Sequence, residues 1–363
     1  MPGAADHFSQ SYAEARGKFL AATRDRKLDV QSHVLPDRVG VDGEALAIDV
    51  ALGGAVSGPG LLVITSATHG LEGYCGSGAQ IALLRDDAFL AMVTAARVGV
   101  LFVHALNPFG FSHGRRVNED NVDLNRNFRD FDAPVPVNDA YAEIHPLLVP
   151  AAWPPPAEND AAIAAHIARR GVSAWQAALT GGQYTFPDGM FFGGSCPTWS
   201  NRTLRAALRH YGGARERLGW IDIHTGLGPR GHGEKIYAGR DVDADVARAR
   251  AWWGPEVTSF YDGTSTSARL TGLITDAVPQ ECPGVEYTAI ALEFGTVPLR
   301  DVLQALRADH WRHQHPGEPA ELTATLRRQV RDAFYVDADD WKEQVCGQAL
   351  TAASAAVAKL APD

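Results

Sequence analysis

Gly60-Leu-Leu-Val-Ile-Thr-Ser-Ala67 is a short, near-continuous apolar run that stops at His69-Gly70. A run of this kind, without polar alternation, predicts a strand buried on both faces, as in a sheet covered by helices on either side. The chain around it repeats the signal. Val98–His104 and Thr288–Phe294 are further apolar, β-branched runs, and Leu218–Ile223 leads directly into His224. Weaker strand signals lie at 45–51 and 235–238. Between them, 8–27, 78–94, 137–180 and 201–211 have helical composition, and helices are expected over most of 298–361. The segment 137–180 is interrupted at Trp153-Pro-Pro-Pro156. Strands alternating with helices predict an α/β fold. No repeat or interdomain linker is visible, so residues 1–363 are expected to form one domain. Two stretches stay irregular: 105–135, rich in Asn, Gly and Arg, and the Gly- and aromatic-rich 181–199.

Composition excludes several function classes. With 45% hydrophobic and 21% charged residues, the chain can bury a large core, and global disorder is not expected. The net charge of −10 and dispersed arginines argue against a nucleic-acid binder, which needs clustered Lys and Arg to neutralise phosphates. Cys75, Cys196, Cys282 and Cys346 are far apart and form no C-x-x-C pair. They predict reduced thiols in a cytoplasmic protein rather than a disulfide framework. No signal peptide and no apolar stretch long enough to span a membrane is visible, so no membrane partner is expected. The oligomeric state is not legible.

Three of the expected strands end in residues that bind metals or move protons. The first gives His69 and Glu72, the third His224, and the last Glu293. In open α/β sheets, ligands bind outside the carboxyl ends of strands, so these four can converge. Two imidazoles and a carboxylate leave a tetrahedral position of Zn2+ open for water. A nearby carboxylate is then needed to carry the proton, and Glu293 is the candidate. Each piece alone is weak: an H-x-x-E pair is common, and a lone His is more often a satisfied structural residue.

The segment after the first pair is more specific. It reads Asn107-Pro-Phe-Gly110, then Arg115-Arg-Val-Asn-Glu-Asp-Asn-Val-Asp-Leu-Asn-Arg-Asn-Phe128. With His69-x-x-Glu72 before it, and a strand-borne His and Glu after it, this order resembles the M14 zinc metallocarboxypeptidases over roughly 60–300. The resemblance is closer to the DUF2817 branch, through His69-Gly-Leu-Glu-Gly73, Cys75-Gly-Ser-Gly-Ala-Gln80, His224-Thr-Gly-Leu-Gly228 and Glu293-Phe-Gly-Thr296. It implies a mixed, twisted sheet of about eight strands sandwiched by helices. It implies one zinc ion on His69, Glu72 and His224, with Glu293 as general acid/base. Arg116 would polarise the scissile carbonyl, and Asn125 with Arg126 would grip a substrate carboxylate, for which a planar guanidinium is suited. Asp123 would orient the first zinc His; the D-x-H spacing suggests the same for Asp222 and His224.

The resemblance thins elsewhere. No lid tyrosine can be aligned; Tyr237, Tyr261 and Tyr287 lie in the right interval without matching context. The base of a specificity pocket is unclear within 255–280. Asn125-Arg-Asn127 is also what simple turn chemistry produces, and Arg115–Arg116 could be a solvated pair. The ligand segments equally resemble the aspartoacylase and succinylglutamate desuccinylase branch, which cleaves N-acyl amino acids. The expected substrate is therefore a small peptide or an N-acyl amino acid, hydrolysed beside its carboxylate. A metal- or peptide-binding module without turnover is the alternative of another class.

Overall fold

A computed structural model describes residues 3–362. Its centre is a seven-stranded mixed sheet in the order β1-β2-β4-β3-β5-β7-β6. The strands are β1 (Val30–Val39), β2 (Ala45–Gly54), β3 (Gly60–Thr65), β4 (Gly99–His104), β5 (Arg217–Arg230), β6 (Gly233–Tyr237) and β7 (Glu286–Gly295). The inner four, β4-β3-β5-β7, are parallel, whereas β1, β2 and β6 run antiparallel to their neighbours. Every residue of β3 and β4 is buried. Successive side chains point to opposite faces, and each face has its own core. Leu62, Ile64, Ile221 and Ile223 pack beneath the helices Tyr12–Asp25, Gly73–Arg85 and Asp339–Leu360. Leu61, Val63, Leu218 and Trp220 pack against Leu204 and Leu208 of the helix Trp199–Gly212. A continuous apolar run is what burial on both faces requires.

The α/β fold class agrees with expectation, with seven strands where the resemblance implied about eight. One strand of the seven has no counterpart in the sequence reading. In β1, Val-Gln-Ser-His-Val-Leu-Pro-Asp-Arg-Val, only Leu35 is buried. It is an edge strand carrying Pro36 and, at φ 57°, Asp37, so it lacks the apolar pattern of a core strand. The expected helix 78–94 is two helices, Gly73–Arg85 and Asp87–Ala95, separated by Asp86, whose side chain accepts the Phe89 N–H as an N-cap. The start at Gly73 is hidden by three glycines, two of which let aromatic rings approach closely: a Cβ at Gly73 would meet the Phe111 ring at 2.4 Å and one at Gly78 the Phe8 ring at 2.5 Å.

Beyond the carboxyl ends of the parallel strands, further helices gather around a separate apolar cluster. They are Asp139–Leu148, Ala157–Arg170, Val172–Thr180, Leu299–Gln314 and Ala320–Phe334, and they bury Tyr141, Trp175, Leu179, Val302, Leu306 and Phe334. Among the described residues, no helix is long and apolar enough to cross a membrane.

Candidate metal centre

The register of the parallel strands puts the chemistry side by side. Thr65 of β3 pairs with Asp222 of β5, and His224 of β5 pairs with Glu293 of β7. In-register residues of parallel neighbours share a face, and these all sit at the carboxyl ends. His69 follows β3 after a turn through Ala67, a non-glycine residue at φ 54°. It caps a short 3-10 turn, Gly70–Glu72, which aims Glu72 back at it. The backbone of that turn touches the neighbouring loop so closely that a Cβ on Gly70 would meet the Gly110 carbonyl carbon at 2.1 Å. Here glycine is required by contact, because the Gly70 and Leu71 N–H groups donate to the carbonyls of Arg116 and Arg115.

Both imidazoles converge on one carboxylate. His69 Nδ1 lies 2.8 Å from Glu72 Oε1, and His224 Nδ1 lies 2.7 Å from Glu72 Oε2. Each opposite ring nitrogen meets its own aspartate: His69 Nε2 is 3.1 Å from Asp123, and His224 Nε2 is 2.5 Å from Asp222. All five residues are nearly inaccessible to solvent. Asp222 is itself fixed by hydroxyls donated from Thr65 (2.6 Å) and Thr68 (2.8 Å). Among the described residues, His69, Glu72 and His224 are the group of possible ligands whose donor atoms lie close enough, within 4.8 Å of one another, to share a metal ion. The donor set fits zinc. An aspartate on each Nε2 fixes the proton there and leaves Nδ1 as the ligating atom, the arrangement found around zinc-bound histidines.

The electrostatics follow from burial against charge. Burial pushes the Glu72 carboxyl up, but the His69 and His224 charges outweigh it and hold it well below the usual range. Burial would lower His224, yet Asp222 and Glu72 raise it well above its ordinary value. Asp123 is buried too, and Arg116 with His69 keeps it ionised. Glu293 differs: burial first, and then the Glu72 charge, push its carboxyl up to about 8. Its Oε1 accepts the Leu227 N–H at 3.0 Å.

Arg116 bridges this group. Its Nε donates to Asp123 (3.1 Å) and its Nη1 to Glu72 (3.2 Å), while Nη2 lies 2.8 Å from His69 Nε2. One ring nitrogen cannot both donate to Asp123 and accept from Arg116; with the proton on Nε2, the Asp123 bond is the one that stands. The neighbouring Arg115 is no solvated partner: it is buried, 3.6 Å from Asp309. Asn125 and Arg126 follow Asp123, whose side chain caps their 3-10 turn. Asn125 Oδ1 accepts the Ile274 N–H. Arg126 donates to the Thr180 carbonyl through Nε and Nη2, and to the Asn125 carbonyl through Nη1.

These residues line one cavity of about 600 Å³. His69, Glu72, Arg116, Asn125, Arg126, Asp222, His224 and Glu293 all reach it, whereas Asp123 lies behind His69. Phe191, from the Gly- and aromatic-rich stretch, sits under both guanidinium groups, 5.2 Å from Arg116 and 5.9 Å from Arg126. No tyrosine appears among the cavity's lining residues. Tyr237 and Tyr261 donate their hydroxyls to the carbonyls of Arg240 and Gly239, so they are tied into the fold elsewhere. The remaining walls come from 157–180 and 299–307, and from 260–275 within the interval 255–280, through Phe260, Leu270 and Leu273.

Fold and centre together define a mixed α/β sheet protein with a His-Glu-His donor set at the carboxyl ends of its parallel strands. The chain belongs to the family described as "Protein of unknown function (DUF2817)", which it matches over residues 8–348. No curated protein matches it. Among solved structures, it is similar to a metallo-carboxypeptidase from Burkholderia cenocepacia (14% identity, 97% of this chain and 69% of that one, TM-score 0.47). It is also similar to bovine thrombin-activatable fibrinolysis inhibitor in complex with tick carboxypeptidase inhibitor (11%, 98% and 98%, 0.48). A third similarity is to a succinylglutamate desuccinylase from Silicibacter sp. TM1040 (16%, 84% and 65%, 0.37).

Proposed function

We propose that this chain, acting as one catalytic domain, is a zinc-dependent hydrolase that cleaves an amide bond beside a free carboxylate, as an M14-like metallocarboxypeptidase or an N-acyl amino acid deacylase does. The observation that carries the reading is the convergence of two Nδ1 atoms on Glu72, with each Nε2 anchored on its own aspartate. His69, Glu72 and His224 would hold one Zn2+, with Asp123 and Asp222 orienting the imidazoles. Bound there, zinc would supply Lewis acidity toward a carbonyl and lower the pKa of water.

The chain's own groups divide the rest of the work. Glu293 accepts the proton of the attacking water and hands it to the leaving amine nitrogen. Arg116, oriented by Asp123 and Glu72, faces the carbonyl oxygen as negative charge develops on it. Asn125 and the remaining donors of Arg126 hold the substrate carboxylate.

Metal analysis joined to a substrate screen tests this. Purified protein from metal-replete expression should carry about one zinc per chain, the single ion that this donor set can hold. It should release amine from C-terminally free peptides or from N-acyl amino acids. Protein without stoichiometric zinc sinks the reading. Zinc and peptide binding with no turnover in a broad amide screen identifies a binding module instead.

A further inference from the structure

The metal donors line part of the cavity, and one of its other walls comes largely from residues with no chemistry of their own. Ile163 and Ile167 contribute from the helix Ala157–Arg170, Trp175 and Leu179 from Val172–Thr180, and Leu303 and Leu306 from Leu299–Gln314. Val172 and Thr180, the first and last residues of their helix, both line the cavity. At 1.5 Å per residue, that helix extends the wall over about 12 Å, farther than an amino-acid side chain reaches. At the Thr180 end the helix carbonyl accepts from Arg126. At the other end Val172, 66% exposed, and Leu299, 51% exposed, line the cavity, with the exposed charges of Asp160 and Arg300 also in the lining. An apolar path thus runs from the arginine at the metal centre out to solvent.

Of the polar side chains along this wall, Asp160 and Arg300 are exposed to solvent, and the more deeply placed ones are engaged. Gln176 donates to the Thr266 carbonyl, Gln304 accepts from Arg307, and Arg307 also donates to the Leu147 carbonyl. A peptide laid along the wall would bring an N–H and a C=O per residue without partners, an unfavourable burial. A hydrocarbon chain brings none.

We propose that the substrate is an N-acyl amino acid whose acyl group is a medium or long hydrocarbon chain lying along this wall. The inference rests on the amide-hydrolase reading and deepens it. Hydrolysis breaks the C–N bond of the amide. The water oxygen joins the acyl carbon, giving a fatty carboxylate, and a water proton goes to nitrogen, giving the free amino acid.

Calorimetric titration of the metal-free protein with N-acetyl-, N-octanoyl- and N-dodecanoyl-leucine tests the wall apart from catalysis, at concentrations below micelle formation. Binding should tighten roughly three- to fourfold per added methylene until the chain reaches the rim, the fold-change expected for burying a CH2 group. Leu303→Glu should weaken the dodecanoyl compound far more than the acetyl one. Leu299→Glu, at an exposed position that cannot disturb the core, should do the same to a smaller degree. Affinity independent of chain length, or tighter binding of a leucine-rich peptide of equal length, overturns the proposal. Turnover by the zinc-loaded protein separates the two readings. Chain-length-dependent binding without hydrolysis removes the hydrolase reading and keeps the apolar site. Hydrolysis that is indifferent to acyl length does the reverse.

Discussion

Asp222→Asn tests how the second histidine is held. Asp222 Oδ1 accepts from Thr65 and Thr68, and its Oδ2 lies 2.5 Å from His224 Nε2. A carboxylate has no hydrogen to donate, so it keeps the imidazole proton on Nε2 and leaves Nδ1, 2.7 Å from Glu72, as the ligating atom. Asparagine would keep both threonine contacts through its oxygen and turn its NH2 group toward Nε2. The imidazole proton then moves to Nδ1, where a metal must bind. Restoring the ligating tautomer sets two N–H groups face to face and loses one buried hydrogen bond, about 1–3 kcal/mol. At about 1.4 kcal/mol per tenfold, zinc affinity should fall roughly 10- to 100-fold, the range seen when such anchors are removed. Asp222→Ala should behave differently, because it orphans two buried hydroxyls and so lowers the stability of the fold as well. Zinc affinity is measured by competition with a chelator of known affinity, alongside urea denaturation of the metal-free proteins. If folded Asp222→Asn bound zinc within twofold of wild type, the argument from tautomer control would be refuted.

Three other outcomes are expected. Glu293→Gln should retain zinc by elemental analysis while turnover drops by about 10²–10⁴, the usual worth of a general acid/base; activity above a tenth of wild type contradicts the assigned role. Arg116→Gln should lower kcat about 10²- to 10³-fold with a smaller change in KM, as for loss of an oxyanion donor, and equal losses in binding and rate would show a merely structural part. His104 sets a pH dependence: it is fully buried, stacked on Phe19, with Nε2 on the Ser77 hydroxyl, and burial pushes it from 6.5 down to about 4. Its folded pKa is depressed, so its neutral form contributes stability that is present above pH 6.5 and lost as pH falls toward 4. The drop from 6.5 to about 4 corresponds to at most about 3 kcal/mol, and urea denaturation at pH 7 and 4.5 should show His104→Phe losing about 2 kcal/mol less than wild type between the two.

What the sequence revealed follows from where free energy concentrates. Strands buried on both faces have no freedom of composition, so 60–67, 98–104, 218–223 and 288–294 all emerged as strands β3, β4, β5 and β7. The ionisable residues at their carboxyl ends stand out for the same reason: a His, Asp or Glu closing such a run breaks its apolar pattern. Edge strand β1 was silent because its side chains face water. The cavity wall was silent for another reason. Ile163, Trp175 and Leu303 read as ordinary amphipathic helix positions, and only the packing of three helices over the strand ends makes them face the metal donors. Phe191 lay in a stretch marked by glycine and aromatic residues, but nothing local tied it to the two arginines it underlies.

The division between central strands and covering helices bears on how such a protein can change. Sliding β5 by one residue would send Asp222 and His224 to the opposite face of the sheet, so a single insertion there destroys the centre. The helical segment 157–180 belongs to no strand register and meets the breaks at Gly171 and Gly181-Gly182. Lengthening, shortening or replacing it redraws the shape beside the donors and leaves their positions alone. Descendants of this chain can therefore reshape the cavity by exchanging one wall while inheriting the same donor set.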